Sequence, residues 1–152
     1  MNIRDSIKGG TFNPYDKGFV SGNRNAASTL RRGIAGSVPH YQINDAKEAC
    51  WAFEPTQAVN YCEAHDNNTL WDKLCISAKN DSEDVRIKMD KLAAAIVILS
   101  QGMPFIQLGQ DFLRSKPRIL KEGEEPNDVN IYSHDSYNAP DYTNSIKWNR
   151  KL

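Results

Sequence analysis

The hydrophobic pattern of the chain contains two short apolar runs separated by one long helical pattern. Residues 58–64 (AVNYCEA) and residues 103–108 (MPFIQL) are short and largely apolar, which predicts two buried strands. Residues 83–101 predict a helix, because Asp81 or Ser82 can cap its first amides and a glycine follows its end. A strand, a long helix and a second strand form a βαβ unit, so we expect the two strands to be parallel.

The predicted helix changes character along its length. Its first half alternates charged and apolar residues, whereas residues 93–99 (AAAIVIL) are apolar on every side, which requires burial on most of the circumference. Two strands are too few to cover such a helix, because parallel sheets are stable only with both faces buried and several strands present. The pattern therefore predicts an α/β fold in which this chain is one part of a larger assembly.

The rest of the chain predicts shorter elements and a long loop. We expect a short helix at residues 3–8 and another at residues 25–32, stopped by the glycines that follow it. A further helical turn is expected at residues 45–49. Residues 114–152 are polar and contain three prolines, which predicts a long loop with little structure of its own.

Composition and charge exclude several classes of partner. The 152 residues contain 19 basic and 19 acidic side chains, so the chain lacks the positive excess that nucleic-acid binding requires. It has no apolar run of about 18 residues that would cross a membrane, and no apolar signal segment at its start. Cys50, Cys62 and Cys75 form no metal-ligand or disulfide pattern, and we expect the last two to be small buried hydrophobic residues. Localisation stays unknown, with the cytoplasm favoured.

The candidate chemistry lies at the end of the first predicted strand. His65 and Asp66 follow residues 58–64, and a helical pattern begins a few residues later. Parallel α/β folds, barrels above all, present their reactive groups at the carboxyl ends of strands, so a carboxylate at position 66 indicates catalysis. A strand-end turn with a capping aspartate is the simpler interpretation of the dipeptide alone.

A metal site is the rival interpretation from another class of protein. His40, His65, Asp66 and His134 could form the centre of a metal-dependent phosphohydrolase of the histidine-aspartate type. Those proteins are helical and place the His-Asp pair inside a helix, whereas residues 58–64 predict a strand. We therefore expect no metal site, and nothing in the sequence indicates a cofactor.

Three motifs occur in order along the chain. They are VNYCEAHDNNTLWDKL at residues 59–74, GMPFIQLGQDFLRSK at residues 102–116, and SYNAPD at residues 136–141 with Trp148. Together they resemble type I pullulanases, which are starch-debranching members of glycoside hydrolase family 13 in the alpha-amylase superfamily. Residues 2–9 and 17–22 also resemble the segment after the sixth barrel strand of those enzymes, so the resemblance covers nearly the whole chain.

The resemblance implies a place in a (β/α)8 barrel. It puts residues 1–57 in the helix and loop segment after strand 6, residues 58–113 on strand 7, helix 7 and strand 8, and residues 114–152 in a long loop on the substrate side. A complete barrel of this kind takes about 250 residues. The fold class implied is therefore α/β, a partial TIM barrel from the segment after strand 6 through strand 8.

The resemblance also assigns the site. Asp66 corresponds to the third catalytic carboxylate of the family, which stabilises the transition state, and His65 corresponds to a histidine that hydrogen-bonds the central sugar. The further substrate-binding residues implied are Asn67 and, in the loop near the branch point, Tyr137, Asn138 and Asp141. The implied reaction is the retaining hydrolysis of α-1,6-glucosidic linkages in an α-glucan such as pullulan, starch or glycogen.

The other two catalytic groups of the family have no matching motif here. Retaining hydrolysis needs a nucleophilic carboxylate and a general acid roughly 5 Å apart, and in this family both come from earlier strands. Arg4-Asp5 is no substitute, because it lacks the intervening residue and the preceding strand. We therefore expect the chain to be inactive alone and to require the missing barrel half. A non-catalytic product or one part of a split enzyme is the alternative, and calcium in a full-length parent stays open.

Overall fold

The computed structural model describes residues 3–43 and 50–150. Its helices and strands are α1 (Ile3–Lys8), α2 (Ala27–Ile34), β1 (Val59–Asn60), α3 (Leu70–Ser77), α4 (Glu83–Leu99), β2 (Met103–Pro104) and α5 (Asp141–Asn144). Short 3-10 helices lie at Phe19–Ser21, Arg24–Ala26, Pro55–Gln57, Gln110–Phe112 and Trp148–Arg150. The helical turn expected at residues 45–49 lies outside the described residues.

The two central helices begin at side chains that can cap them. The Thr69 hydroxyl accepts a hydrogen bond from the Asp72 amide at 3.1 Å, which starts α3. The Ser82 hydroxyl accepts a hydrogen bond from the Val85 amide at 3.4 Å, which starts α4 as predicted. Each cap satisfies an amide that has no partner inside its own helix.

Gly33 has a different role from the predicted one. We expected it to stop the second helix, but it lies inside α2. A Cβ atom at this position would lie 2.7 Å from two carbon atoms of Ile3, so the missing side chain lets α1 pack directly on α2. The helix ends one residue later, and Gly36 then adopts a φ of 77°, a conformation that favours glycine.

The two predicted strands pair in parallel, as expected. Val59 lies opposite Met103, and Asn60 lies opposite Pro104. The predicted strand lengths, residues 58–64 and 103–108, are wrong, because only two residues of each run belong to the ladder. Apolar character predicts burial, whereas the length of a strand depends on a paired neighbour. In the described part of the chain each strand has a neighbour on one edge only.

One hydrophobic core lies between the helices and the turn that follows β1. α1 packs against α2, and α3 packs against α4. The buried residues of this core are Ile3, Ile7, Val20, Leu30, Cys62, Leu70, Leu74, Ala93 and Val97. Cys62 is fully buried, as predicted, whereas Cys75 is only half-buried.

A second apolar surface is open to solvent on the sheet. It consists of Val59 on β1, Met103 on β2, and the residues that continue β2, which are Phe105, Ile106 and Leu108. We call these five residues the open sheet surface. Parallel sheets are normally covered on both faces, so the chain exposes a surface of the kind that other parts of a larger fold would cover.

The apolar half of α4 is also covered on one side only. Ala93 and Val97 face the core and are fully buried, whereas Ile98 and Leu99 are exposed, Leu99 to 79%. Residues 93–99 thus have more apolar surface than the described part of this chain buries. No helix in the described residues is long and apolar enough to cross a membrane.

The C-terminal segment has little regular structure, as predicted. Between residue 114 and residue 150 the structure contains the four-residue helix α5, one 3-10 turn and a single antiparallel bridge between Pro117 and Tyr132. The Arg118 side chain pairs with Glu124 at 2.6 Å and also donates to the Asn130 carbonyl, which closes the intervening loop. The division of the chain at residues 57 and 113 stays a prediction.

Candidate active site

The turn after β1 places His65 and Asp66 in solvent. Their side chains are 86% and 80% exposed, and His65 Nε2 lies 3.7 Å from Asp66 Oδ1. Asn67 follows with a φ of 62°, which turns the backbone toward α3. The imidazole and the carboxylate thus lie in the turn that follows β1, but not directly at its end as predicted, because β1 ends at Asn60. The roles assigned to His65 and Asp66 stay predictions.

A buried carboxyl group hydrogen-bonds across this turn. The side chain of Glu63 is almost fully buried and accepts a hydrogen bond from the amide of Leu70, in the first turn of α3. Burial raises the pKa of Glu63 to about 7. The nearby Lys8 is also buried, which lowers its pKa, and its ammonium group donates to the carbonyl of Asn68 at 3.4 Å. These bonds tie both ends of the turn to α1 and α3.

Asp66 and Asn67 line a small cavity beside this turn. The cavity has a volume of about 80 Å³, and its other walls are Arg4, Lys8, Tyr61 and Ala64. The Arg4 guanidinium lies 5.9 Å from the centre of the Tyr61 ring. Two cationic side chains, Arg4 and Lys8, therefore line the same cavity as Asp66.

The second group of predicted residues lies in a separate cavity. Tyr137, which is 91% exposed, and Asn138 line a cavity of about 360 Å³ together with Arg118 and Ile119. Asp141 is exposed at the first position of α5 and does not line this cavity. The loop is held by Asn144, whose side chain donates to the carbonyls of Ser136 and Ala139 at 2.7 and 3.1 Å.

Sequence reasoning missed two side chains of the candidate site. Arg4 belongs to a dipeptide that lacks a catalytic motif, yet it lines the same cavity as Asp66. Lys116 closes one of the three sequence motifs, and its ammonium group donates to the His65 carbonyl at 2.9 Å and to Ser136 Oγ at 3.3 Å. No pattern in the sequence identifies such a link, because the two acceptors are 71 positions apart.

The rival metal site is not assembled. Within residues 3–43 and 50–150, no group of three or more His, Cys, Asp or Glu side chains is placed to hold a metal ion. His40 instead stacks on the ring of Tyr41 with the ring centres 4.6 Å apart. The histidine-aspartate pair follows a strand, whereas the rival class would place it inside a helix.

Comparison with known proteins gives a consistent result. No protein-family model matches the chain. The pullulanase of Bacillus subtilis is 36% identical over 149 residues, which cover 98% of this chain and 18% of that protein. Over nearly its whole length, this chain is similar to pullulanases. The resemblance to pullulanases inferred from the three motifs is confirmed, and the place of the chain in a barrel stays a prediction.

Solved pullulanase structures share the fold of the chain. The pullulanase of Anoxybacillus sp. LM18-11 in complex with maltotriose superposes with a TM-score of 0.76 at 39% identity, covering 99% of this chain and 18% of that one. The apo pullulanase of Paenibacillus barengoltzii gives a TM-score of 0.81 at 38% identity, covering 97% and 20%. The chain thus spans about a fifth of the pullulanases it matches, and it is related to starch-debranching glycoside hydrolases.

Proposed function

We propose that the chain forms the part of a pullulanase-type catalytic barrel that runs from the segment after strand 6 through strand 8. β1 and β2 then correspond to the seventh and eighth strands. Together with the other strands, the chain hydrolyses α-1,6 linkages in an α-glucan. The observation that carries this proposal is the match to pullulanases along 98% of the chain, combined with the exposed Asp66 carboxylate in the turn that follows β1.

In this proposal Asp66 is the carboxylate that stabilises the transition state. Cleavage of a glycosidic bond develops oxocarbenium character in the sugar ring, and a fixed negative charge beside that ring lowers the barrier. His65 and Asn67 hydrogen-bond the sugar hydroxyls. The nucleophile and the general acid belong to other strands of the barrel, as the resemblance to the family implies.

The loop around residue 137 supplies the wall of the cleft. Tyr137 and Asn138 already line a concave surface, and Asp141 joins them when a glucan lies along the loop. The Anoxybacillus pullulanase was solved with maltotriose, a short α-glucan. This supports an α-glucan as the substrate of the assembly that contains the present chain.

The open sheet surface supports the barrel assignment independently. β1 and β2 pair with each other, and each leaves its other edge without a neighbour in the described residues. Val59 and Met103, which face each other across the ladder, are both about half exposed. Further strands on both edges would pair the open backbone groups and cover these side chains.

A hybrid enzyme tests the proposal. In it, residues 1–152 replace the matched segment of the Bacillus subtilis pullulanase, and release of reducing ends from pullulan is measured. We expect the hybrid to hydrolyse pullulan, whereas the 152-residue chain by itself does not. A folded hybrid without activity would overturn the proposal.

Substitution of Asp66 in the same hybrid tests its assigned role. Asp66→Asn removes the negative charge and keeps the shape of the side chain, so we expect kcat to fall by about a hundredfold to a thousandfold. The control is Asp111→Asn, an exposed carboxylate after β2, which should retain nearly full activity. If Asp66→Asn turns over pullulan at the rate of the unsubstituted hybrid, Asp66 has no catalytic role.

A further inference from the structure

Among the described residues, Lys116 is the largest side chain that is almost fully buried. Its exposed fraction is 1%, although lysine is among the residues least often found inside proteins. A buried ammonium group is retained only where acceptors replace the lost water. Lys116 therefore has to be explained by its partners.

Those partners lie on the two separate parts of the candidate site. The Lys116 ammonium group donates to the backbone carbonyl of His65 at 2.9 Å and to the hydroxyl of Ser136 at 3.3 Å. The first acceptor immediately precedes Asp66, and the second immediately precedes Tyr137. One side chain thus joins the turn that carries the candidate catalytic carboxylate to the loop that carries the candidate subsite residues.

The backbone of Lys116 is fixed as firmly as its side chain. Its amide donates to Asp72 Oδ2 at 2.8 Å, and its carbonyl accepts from the Ser133 amide at 2.8 Å. Asp72 belongs to α3 and is fully buried. The link between turn and loop is therefore anchored on a helix of the core.

Burial and nearby charges act on the Lys116 ammonium group in opposite directions. Burial lowers the pKa of the Lys116 ammonium group, and the carboxylates of Asp72, Asp66 and Glu63 act in the opposite direction, while Arg114 adds to the lowering. The attraction to Asp66 acts between the link and the group that it positions. Hydrogen bonds from a charged donor are stronger than those between neutral groups.

We propose that Lys116 is a positioning residue of the active site, which sets the distance between the Asp66 turn and the loop at residues 137–141. The catalytic role of this link rests on the proposed function, because the two segments matter to catalysis only if both contact the glucan. The link itself is a property of this chain and can be measured without activity.

A second buried lysine provides a matched control. Lys73 is equally buried, and its ammonium group donates to the backbone carbonyls of Gly10, Asn13 and Pro14. Lys73→Met removes a buried ammonium group that caps carbonyls, as Lys116→Met does, but it acts on the segment after α1. The two variants therefore separate a general loss of stability from a local loss of the link.

Amide hydrogen exchange of the full 152-residue chain tests the link directly. We expect Lys116→Met to speed exchange about tenfold in residues 61–68 and 133–139, with little change in residues 9–17. Lys73→Met should give the reverse pattern. Uniform acceleration along the whole chain, or unchanged exchange in both linked segments, would overturn the proposal.

A milder variant keeps the test informative if Lys116→Met unfolds the chain. Ser136→Ala removes one acceptor from a half-buried position and keeps the bond to His65. We expect it to speed exchange in residues 133–139 and to leave residues 61–68 unchanged. If Ser136→Ala exchanges at the same rate as the parent chain in both segments, the link is contradicted.

Kinetics of the hybrid enzyme then test positioning. We expect Lys116→Met to lower kcat for pullulan about tenfold or more at 25 °C. Lys73→Met should lower the melting temperature as much as Lys116→Met does, with a much smaller change in kcat. Equal kcat values for the two variants would reduce Lys116 to a structural residue. An inactive unsubstituted hybrid would contradict the proposed function instead, and the exchange results would still decide the link.

Discussion

At the scale of single residues, the candidate site combines exposed charges with buried ones. His65 and Asp66 are open to solvent, while Glu63, Lys8 and Lys116 lie almost fully buried beneath and beside them. Exposed groups are available to a ligand, and buried groups hold the backbone that presents them. A substitution of a buried charged group should therefore change the free energy of unfolding by an amount that depends on pH.

Asp90 gives the clearest pH-dependent prediction. It lies on the buried side of α4, where burial and the nearby Glu63 raise its pKa to about 7, and the pKa of Glu63 is about 7 as well. Both carboxyl groups bind protons more tightly in the folded chain than in the unfolded chain. The stability they contribute is therefore complete below their ordinary pKa values of 3.8 and 4.5 and is lost as pH rises through about 7.

Asp90→Asn should flatten this dependence. We expect the free energy of unfolding of the parent chain to fall between pH 5 and pH 8, on the order of 2 kcal/mol for each of the two carboxyl groups, and the variant to lose about half of that fall. Urea unfolding at several pH values measures it. Asp84→Asn, at an exposed position of the same helix, is the control, and a slope unchanged by Asp90→Asn would refute the assignment.

At the scale of elements, the positions of the helices were predictable, whereas the lengths of the strands were not. The ends of α4 follow from local chemistry, a serine cap before it and a glycine after it, and such signals are visible in sequence. The bounds of β1 depend on pairing with β2, which is 44 positions away along the chain. The apolar runs correctly predicted which segments pair and in which direction, but contained no information on how many residues pair.

The caps of α3 and α4 should differ in importance. The Thr69 cap is fully buried and its bond to the Asp72 amide measures 3.1 Å, whereas the Ser82 cap is exposed and its bond measures 3.4 Å. We expect Thr69→Ala to lower the free energy of unfolding by about 2 kcal/mol and Ser82→Ala by about 0.5 kcal/mol. Thr69→Ser, which keeps the hydroxyl, should recover most of the loss, and equal losses for the two alanine variants would contradict the argument.

At the scale of the whole molecule, the chain buries one apolar surface and exposes another. The core between α1, α2, α3 and α4 is closed, while the open sheet surface remains accessible. The sequence predicted this imbalance, because an all-round apolar helix and two strands do not form a complete parallel fold. It did not predict which side of α4 would be covered, since that depends on the packing of α3, α2 and the 3-10 helix at Phe19–Ser21.

The open sheet surface should make the isolated chain bind apolar dyes and self-associate. Exposed apolar groups that lie together favour both processes. We expect Phe105→Lys together with Leu108→Lys to reduce dye fluorescence and to shift sedimentation toward the monomer. The control is Phe12→Lys, an exposed aromatic residue outside this surface. A parent chain that sediments as a monomer and binds no dye would contradict the prediction.

The site was predictable only where neighbours in sequence are neighbours in space. His65, Asp66 and Asn67 lie together because they are consecutive, so the sequence alone groups them, and their roles stay predictions. Their relation to residue 137 depends on the chain returning after α3, α4 and β2. The structure places Asp66 and Tyr137 at separate cavities, and Lys116 hydrogen-bonds the residue before each of them. Such a relation between residues far apart in the sequence follows only from the folded structure.

The buried Cys62 thiol offers a direct measure of how often the core opens. Burial raises its pKa to about 12, and its exposed fraction is zero, so an alkylating reagent has neither access to the sulfur nor a thiolate to attack while the chain is folded. The rate at which iodoacetamide modifies Cys62 therefore reports the opening equilibrium of the surrounding helices. Binding of complementary barrel strands would slow that rate, which makes assembly measurable by mass spectrometry without any glucan substrate.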